Sequence, residues 1–147
     1  PRLKNIAGGS HFTNLIEDTL KNNFIDYIVC REGEASFVEL LAAIPDGESA
    51  VEGVKGIAFR KDGRAVETPP RPLISDLDSL PLPAYDLMPM HLYGTSKFLF
   101  SPGGATIHHS RGCVSNCRFC AWWRQMADVE QSDDGSVALK PHWRTKS

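Results

Sequence analysis

A proline-rich segment in the middle of the chain limits where regular secondary structure can form. Residues 68–89, TPPRPLISDLDSLPLPAYDLMP, contain six of the ten prolines. Proline fixes φ and lacks a backbone N–H, so this segment cannot form a long helix or a central strand. Its apolar residues recur at short intervals, which predicts a linker that lies extended over a protein surface rather than a free tether.

The part of the chain before this linker alternates strand and helix signals. LKNIAGG predicts a short strand that ends in two glycines, and FIDYIVC predicts a strand buried on both faces of a parallel sheet. A helical pattern follows the first strand, with apolar positions at Phe12, Leu15, Ile16 and Leu20. Another follows the second strand over about Glu34 to Ile44, with apolar positions at Phe37, Leu40, Leu41 and Ile44. This alternation predicts an α/β fold with a doubly wound sheet.

Further strands are predicted on both sides of the linker. VKGIAFRKDGRAVE predicts a hairpin with its turn at 61–63, at an antiparallel edge of the sheet. After the linker, we expect a turn at 102–104 and a strand at Ala105–His109 that leads into a cysteine-rich loop. The remaining residues begin with a helical pattern and become polar at 131–136.

Charge and hydropathy exclude several classes of protein. Sixteen basic and eighteen acidic residues give a net charge of −2, without a basic run that would follow a phosphate backbone, so we expect no nucleic-acid partner. The sequence shows neither an apolar run long enough for a membrane span nor a signal peptide, so we expect a cytoplasmic protein. The chain starts without methionine, which predicts that it is part of a longer protein.

Three of the four cysteines lie in one loop, SRGCVSNCRFC, at positions 113, 117 and 120. In a reducing compartment such a group indicates metal ligands or catalytic residues rather than disulfides. A structural zinc site would need further ligands, which would have to come from His108, His109 or His142. An iron–sulfur cluster fits better, because three thiolates can hold three irons and leave a fourth iron open for a small molecule.

A four-cysteine electron-transfer cluster is the alternative, with its fourth ligand either Cys30 or outside this chain. Cys30 ends the apolar run FIDYIVC, so the favoured interpretation is a small, buried hydrophobic side chain. The loop therefore indicates iron–sulfur chemistry, with either one open iron or a fully ligated cluster.

The CxxxCxxC loop resembles the signature of the radical S-adenosylmethionine (radical SAM) enzymes. The resemblance implies that Cys113, Cys117 and Cys120 bind a four-iron, four-sulfur (4Fe-4S) cluster whose open iron is chelated by S-adenosylmethionine. It implies reductive cleavage of S-adenosylmethionine to methionine and a 5′-deoxyadenosyl radical, an electron donor such as a ferredoxin or flavodoxin, and a small-molecule substrate. It places Phe119 near the adenine, although ordinary loop packing explains this residue equally well.

Residues before the loop resemble the end of the cobalamin-binding domain, and the linker, that precede the barrel in one radical SAM subgroup. This subgroup includes methyltransferases and anaerobic magnesium-protoporphyrin monomethyl ester cyclases. The resemblance places Gly8 and Gly9 beside the nucleotide tail of cobalamin, while a tight strand-to-helix turn explains them nearly as well. REGE at 31–34 matches the next loop of that domain. The alternative interpretation is a turn with Gly33 at positive φ and Glu34 at a helix N-terminus.

The predicted architecture therefore has three parts. Residues 1–68 would form the C-terminal half of a doubly wound, Rossmann-like cobalamin-binding domain, and residues 69–104 the linker. Residues 105–147 would form the first strand and cluster loop of a partial (β/α) barrel. The later barrel strands are not in this sequence, so we expect the chain alone to be inactive. His108 and His109 would be packed or solvated on opposite sides of the first strand, and Trp122 and Trp123 would cover the cluster loop.

The predicted function is reductive cleavage of S-adenosylmethionine that starts radical chemistry, with cobalamin, in methyl transfer or oxidative cyclisation. One alternative is a radical SAM enzyme whose cobalamin-type domain is empty. Another is an iron–sulfur electron-transfer or zinc-binding module without radical chemistry.

Overall fold

The structure is a computed structural model that describes residues 3–93, 105, 107–115, 117–120 and 125–145. The chain divides into two compact units. The first, which we call the sheet unit, comprises residues 1–74 and 112–141, and the second unit comprises residues 75–111 and 142–147. The sheet unit therefore includes the cysteine loop. The domain boundaries after residues 68 and 104 stay predictions.

A four-stranded mixed sheet forms the centre of the sheet unit. Its strands are β1 (Ile6–Gly8), β2 (Tyr27–Val29), β3 (Ile57–Lys61) and β4 (Arg64–Glu67), in the spatial order β1-β2-β3-β4. Strands β1 and β2 are parallel, whereas the β2–β3 and β3–β4 pairs are antiparallel. The predicted α/β class, the strand that ends in two glycines and the antiparallel hairpin at the sheet edge are confirmed.

The hairpin turn shows why its sequence folds as predicted. Lys61 pairs with Arg64, which leaves Asp62 and Gly63 as a two-residue loop. Both loop residues have positive φ, 48° and 76°. Asp-Gly is a favoured sequence for such a turn because aspartate tolerates and glycine readily adopts the left-handed region.

Helices connect the strands on both sides of the sheet. They are α1 (Ser10–Asn14), α2 (Ile16–Leu20), α3 (Glu34–Ala43) and α4 (Glu48–Glu52), and a 3₁₀ turn at Ile44–Asp46 follows α3. The single helix predicted after β1 is in fact two short ones, because Leu15 leaves the helical region at φ −125° and ψ 45°. The side-chain amide of Asn14 donates to the Ser10 carbonyl at 2.8 Å. Such a local bond competes with continuation of the helix.

The core lies on both faces of the sheet. One face buries the larger cluster, which consists of Val29, Leu40, Ala43, Val51, Val54, Ile57 and Phe59. The opposite face buries Leu20, Ile28 and Ala58. Neighbouring residues of β2 therefore enter different clusters, as the alternation of a strand requires.

The buried face of α3 differs from the predicted one. Ser36, Leu40 and Ala43 are the buried residues of this helix. Phe37 and Leu41, both expected in the core, are 43% and 49% exposed. The small side chains of Ser36 and Ala43 set the contact face, because they allow the helix backbone to approach the sheet closely.

The first residues of the linker lie on the sheet unit. The Gly56 N–H donates to the Pro69 carbonyl at 2.9 Å. The Ile74 N–H donates to the carboxylate of Glu32, which is buried. The Arg71 guanidinium donates to the Ser36 hydroxyl at 2.9 Å and pairs with Glu39. Residues 69–74 thus lie on the surface of the sheet unit, while the assignment of residues 69–104 as a linker stays a prediction.

Four short strands complete the described structure. They are β5 (Ser110–Arg111), β6 (Asp128–Gln131), β7 (Val137–Lys140) and β8 (His142–Trp143). In the sheet unit β6 and β7 form a hairpin, where the sequence pattern predicted only a helical start and a polar stretch. Among the described residues, no helix is long and apolar enough to cross a membrane.

The second unit contains the antiparallel pair β5–β8 and three 3₁₀ turns, at Leu77–Ser79, Tyr85–Leu87 and Met90–Leu92. The strand predicted at Ala105–His109 is wrong at its described residues, because strand structure begins at Ser110. The His108 carbonyl accepts a hydrogen bond from the Arg144 side chain at 3.1 Å, which is not a bond between strands. The turn predicted at 102–104 lies outside the described residues.

The two leucines of α3 provide a stability test of this core. We expect Leu40→Ala to lower the free energy of unfolding by about 2–5 kcal/mol, because the side chain is completely buried. Leu41→Ala removes the same atoms from a half-exposed neighbour and should cost less than about 1 kcal/mol. Urea unfolding followed by circular dichroism measures both. Equal losses would contradict the assignment of the buried face.

Candidate cysteine-loop site

The cysteine loop, which we define as Cys113–Cys120, is separated from the end of β5 by Gly112. Cys113 and Cys120 are partly exposed and Cys117 is exposed, and none of the three forms a disulfide. Partly exposed thiols can reach a metal or cluster that arrives from solvent. Such exposure differs from that of structural cysteines, which are usually buried and inert.

Local hydrogen bonds give this loop a defined shape. The Cys120 N–H donates to the Cys117 carbonyl at 3.1 Å, which closes a turn between the last two cysteines. The Ser115 N–H donates to the Cys113 sulfur at 3.4 Å. Hydrogen bonds from backbone N–H groups to sulfur tune the sulfur ligands of iron–sulfur sites.

The three sulfurs are not gathered into a finished metal site. Within the described part of the chain, no three side chains of His, Cys, Asp or Glu are placed to hold one metal ion. The donor set itself, three thiols within one loop and none of them in a disulfide, fits an iron–sulfur cluster chemically.

Phe119 projects away from the protein. Its side chain is 94% exposed, so it does not take part in the loop packing that was one of its two interpretations. A fully exposed phenylalanine is available to contact a bound molecule. His108 and His109 are also exposed, in agreement with solvated histidines, while Trp122 and Trp123 lie outside the described residues.

Gly8 and Gly9 form the turn from β1 into α1, at the carboxyl edge of the sheet. Gly9 has φ +96°, and among the described residues no atom beyond its two chain neighbours lies within 4 Å of where its Cβ would be. A Cβ on Gly8 would lie 3.5 Å from the Val29 carbonyl oxygen, an ordinary contact. Backbone conformation thus explains Gly9, and the space beside it is open. The edge itself is the place where parallel sheets bind ligands.

The segment after the cysteine loop contacts this glycine turn. Gln125 is 4% exposed, and its side-chain amide donates to the Ser10 carbonyl at 3.2 Å. Ser10 follows Gly9 directly, so the structure brings the glycine turn and the chain leaving the cysteine loop together within the sheet unit. Sequence reasoning missed Gln125, because a single glutamine in a polar segment carries no periodic or motif signal.

The loop after β2 differs from its predicted turn. The positive φ is at Arg31, 59°, whereas Gly33 has φ −90°. The prediction for Gly33 was therefore wrong, and close packing explains the glycine instead. A Cβ at Gly33 would lie 3.3 Å from the Val29 Cγ1 atom. Glu34 begins α3, as predicted, where a carboxylate interacts favourably with the helix dipole.

Comparisons with known proteins bear on this loop and sheet. No family model and no solved structure match the chain. An uncharacterized methyltransferase of Pyrococcus horikoshii is 38% identical over 79% of this chain and 24% of its own length. The anaerobic magnesium-protoporphyrin IX monomethyl ester cyclase of a Synechocystis strain is 37% identical over 82% of this chain and 23% of its own length. The cyclase of that name from Rubrivivax gelatinosus is 31% identical over 93% of this chain and 25% of its own length.

The chain is thus similar to these methyltransferases and cyclases over most of its own length. This similarity confirms the resemblance to radical SAM methyltransferases and cyclases that the cysteine motif and the first part of the chain predict. The chain spans about a quarter of the length of these relatives.

Cys30 has an environment unlike that of the loop cysteines. It packs beside Leu20, Ile28 and Ala58, as predicted for a small hydrophobic residue. Burial, and to a smaller extent the nearby Glu67 carboxylate, raise the pKa of the Cys30 thiol to about 11. The thiol also lines a cavity of about 200 Å³ with Thr13 and Arg31.

This contrast predicts the order in which the thiols react. At pH 8 Cys30 stays neutral, because its pKa lies near 11, and the neutral thiol is a poor nucleophile. We expect iodoacetamide to alkylate Cys30 at least about tenfold more slowly than the exposed Cys117, with the Cys30 rate still rising up to pH 11. Peptide mass spectrometry of the metal-free protein resolves the two sites. Equal rates would contradict the burial of Cys30.

Proposed function

We propose that this chain forms part of a radical SAM enzyme whose 4Fe-4S cluster is bound by Cys113, Cys117 and Cys120. The observation that carries the proposal is the arrangement of three partly or fully exposed thiols, none of them in a disulfide, in one loop of a chain similar to methyltransferases and cyclases. The fourth cysteine is a poor additional ligand, because burial keeps the Cys30 thiol protonated. Three ligands leave one iron open for S-adenosylmethionine.

The hydrogen bonds of the loop support this ligand role. The Ser115 N–H already points at the Cys113 sulfur, and the turn between Cys117 and Cys120 keeps those two residues close in space. When bound, the cluster would supply the electron that cleaves S-adenosylmethionine reductively. A ferredoxin or flavodoxin would supply that electron to the cluster.

We assign Phe119 to the binding of the adenine group. Its exposed ring stands between two proposed ligands in sequence and contacts little of the protein. A flat aromatic ring next to the open iron can stack on a purine, and base–aromatic stacking contributes about 1–3 kcal/mol per base. Its loss should therefore weaken S-adenosylmethionine binding without preventing cluster formation.

The first part of the chain we assign to a cobalamin-binding-type domain, with Gly8 and Gly9 beside the cofactor tail. Two features support this assignment. The glycine turn lies at the carboxyl edge of parallel strands with open space beside Gly9, and Gln125 connects this turn to the segment that leaves the cysteine loop. Cobalamin would then lie near the cluster, as methyl transfer or oxidative cyclisation of a small-molecule substrate would require. A cytoplasmic location and a barrel that includes the cysteine loop belong to the same proposal.

Cluster assembly in the full-length protein tests the proposal. Anaerobic reconstitution with iron and sulfide should load about four irons per chain, and the reduced cluster should give a paramagnetic resonance spectrum that changes when S-adenosylmethionine is added. We expect 5′-deoxyadenosine to form on reduction. A spectrum that does not respond to S-adenosylmethionine, or binding of zinc in place of iron, would overturn the proposal.

Single cysteine variants show which thiols are ligands. Alanine at position 113, 117 or 120 should abolish stable loading of four irons, because each removes one ligand of the cluster. Cys30→Ala is the matched control, and its iron content should equal that of the unchanged protein. Loss of the cluster in Cys30→Ala alone would instead assign Cys30 as a ligand and contradict the open iron.

Measurements of iron content and of S-adenosylmethionine binding distinguish a role of Phe119 in ligand binding from a role in cluster formation. In Phe119→Ala the iron content should stay unchanged while the dissociation constant for S-adenosylmethionine rises about tenfold, and Phe119→Tyr should retain binding. Titration of the reduced cluster, followed by its resonance spectrum, measures that constant. Unchanged affinity in Phe119→Ala would remove Phe119 from the site.

A further inference from the structure

The glycine before the first cysteine is packed more tightly than any other described glycine. A Cβ placed on Gly112 would lie 2.6 Å from the Met126 carbonyl oxygen, 3.0 Å from the Ala127 Cβ and 3.1 Å from the Pro141 Cα. Gly112 also has φ +89°, which disfavours every residue with a side chain. Both conformation and space therefore require glycine at this position.

The atoms around Gly112 cannot move aside easily. Two of the three are backbone atoms, and the third belongs to Ala127, which is 2% exposed. The segment of Ala127 is held in turn by Gln125, whose side chain donates to the Ser10 carbonyl of α1. A methyl group at residue 112 would therefore displace Gly112 itself, since buried and hydrogen-bonded backbone resists displacement.

This packing lies where the chain enters and leaves the cysteine loop. Gly112 directly precedes Cys113, and residues 126 and 127 follow the loop by only a few positions. The close approach of these two backbones joins the ends of the segment that carries all three cysteines. Joined ends restrict the conformations that the loop can adopt.

We propose that Gly112 is a positioning residue for the iron–sulfur loop. Gly112 allows the two ends of the loop to pack backbone to backbone, and this packing brings the three thiols within reach of one cluster. This inference rests on the proposed function. Gly112 fixes the point from which Cys113 begins.

A variant at a second glycine distinguishes the effect of steric packing from the effect of backbone conformation. Gly135, in the turn between β6 and β7, has φ +80°, and no other atom lies within 4 Å of its Cβ position. Alanine at Gly135 therefore meets the same unfavourable φ in open space. Alanine at Gly112 meets the unfavourable φ together with three close contacts, so the difference between the two variants reports the packing.

Cluster retention in the full-length protein tests this role. We compare Gly112→Ala, Gly135→Ala and the unchanged protein after anaerobic reconstitution, measuring the iron kept against a chelator and the resonance spectrum of the reduced cluster. Gly135→Ala should match the unchanged protein. Gly112→Ala should hold iron about tenfold less tightly and show an altered spectrum, as expected when the support of a metal ligand is removed.

Leu40→Ala controls for general destabilisation. It weakens the core of the sheet unit without touching the loop, so it should keep its cluster while the protein is folded, which circular dichroism verifies. Equal iron loss in Leu40→Ala and Gly112→Ala, or normal loading in Gly112→Ala, would overturn the positioning role alone. Failure of the unchanged protein to bind an iron–sulfur cluster would overturn the proposed function and this inference together.

Discussion

The burial of β2 on both faces is the constraint on which the sheet unit depends. Ile28 enters one apolar cluster and Val29 the other, and both are nearly inaccessible to solvent. A strand with apolar residues on both faces needs helices on both sides, which is why α1 and α2 cover one face and α3 and α4 the other. Strand β1 then pairs with the outer side of β2, and β4 pairs with the outer side of β3, so that these two strands form the edges of the sheet.

This arrangement determines where the functional residues of the sheet unit lie. Strands β1 and β2 are parallel, so their carboxyl ends meet at one edge and place Gly9 and Arg31 in neighbouring loops. The same edge receives the chain that leaves the cysteine loop, through the hydrogen bond of Gln125. Glu32, just after β2, accepts the linker at Ile74. A single buried strand thus organises the glycine turn and the linker attachment.

Much of the sheet could be predicted from sequence, because its signals are local. The alternation of apolar runs with helical periodicity identified the strands of residues 3–67, a helix at the position of α3 and one helix where α1 and α2 form, whereas α4 was not predicted. The turn residues Asp62 and Gly63 identified the hairpin. The exposed face of α3 could not be predicted, because Ser36 and Arg71 contact each other only after the linker has folded onto the helix. The hairpin at 128–140 was missed, although Asp134-Gly135 between short apolar alternations is a signal that could have found it.

The cysteines of the candidate site could be identified from the sequence, whereas the residues that hold the cysteine loop in place could not. Cys113, Cys117 and Cys120 stand out because three thiols at short spacing have few uses in a reducing compartment. Gly112 and Gln125 act through contacts with residues distant in sequence or across the loop, so no spacing reveals them. The exposure of Phe119 likewise depends on how the loop folds.

The central claim is that three cysteines of one loop hold a cluster whose fourth iron binds S-adenosylmethionine. Electron–nuclear double resonance of the reduced, reconstituted full-length protein tests it directly, with S-adenosylmethionine labelled with ¹⁵N at its amino group. The account predicts a hyperfine coupling between the cluster and that nitrogen. A bound cluster without any such coupling would contradict the open iron and favour a purely electron-transferring cluster.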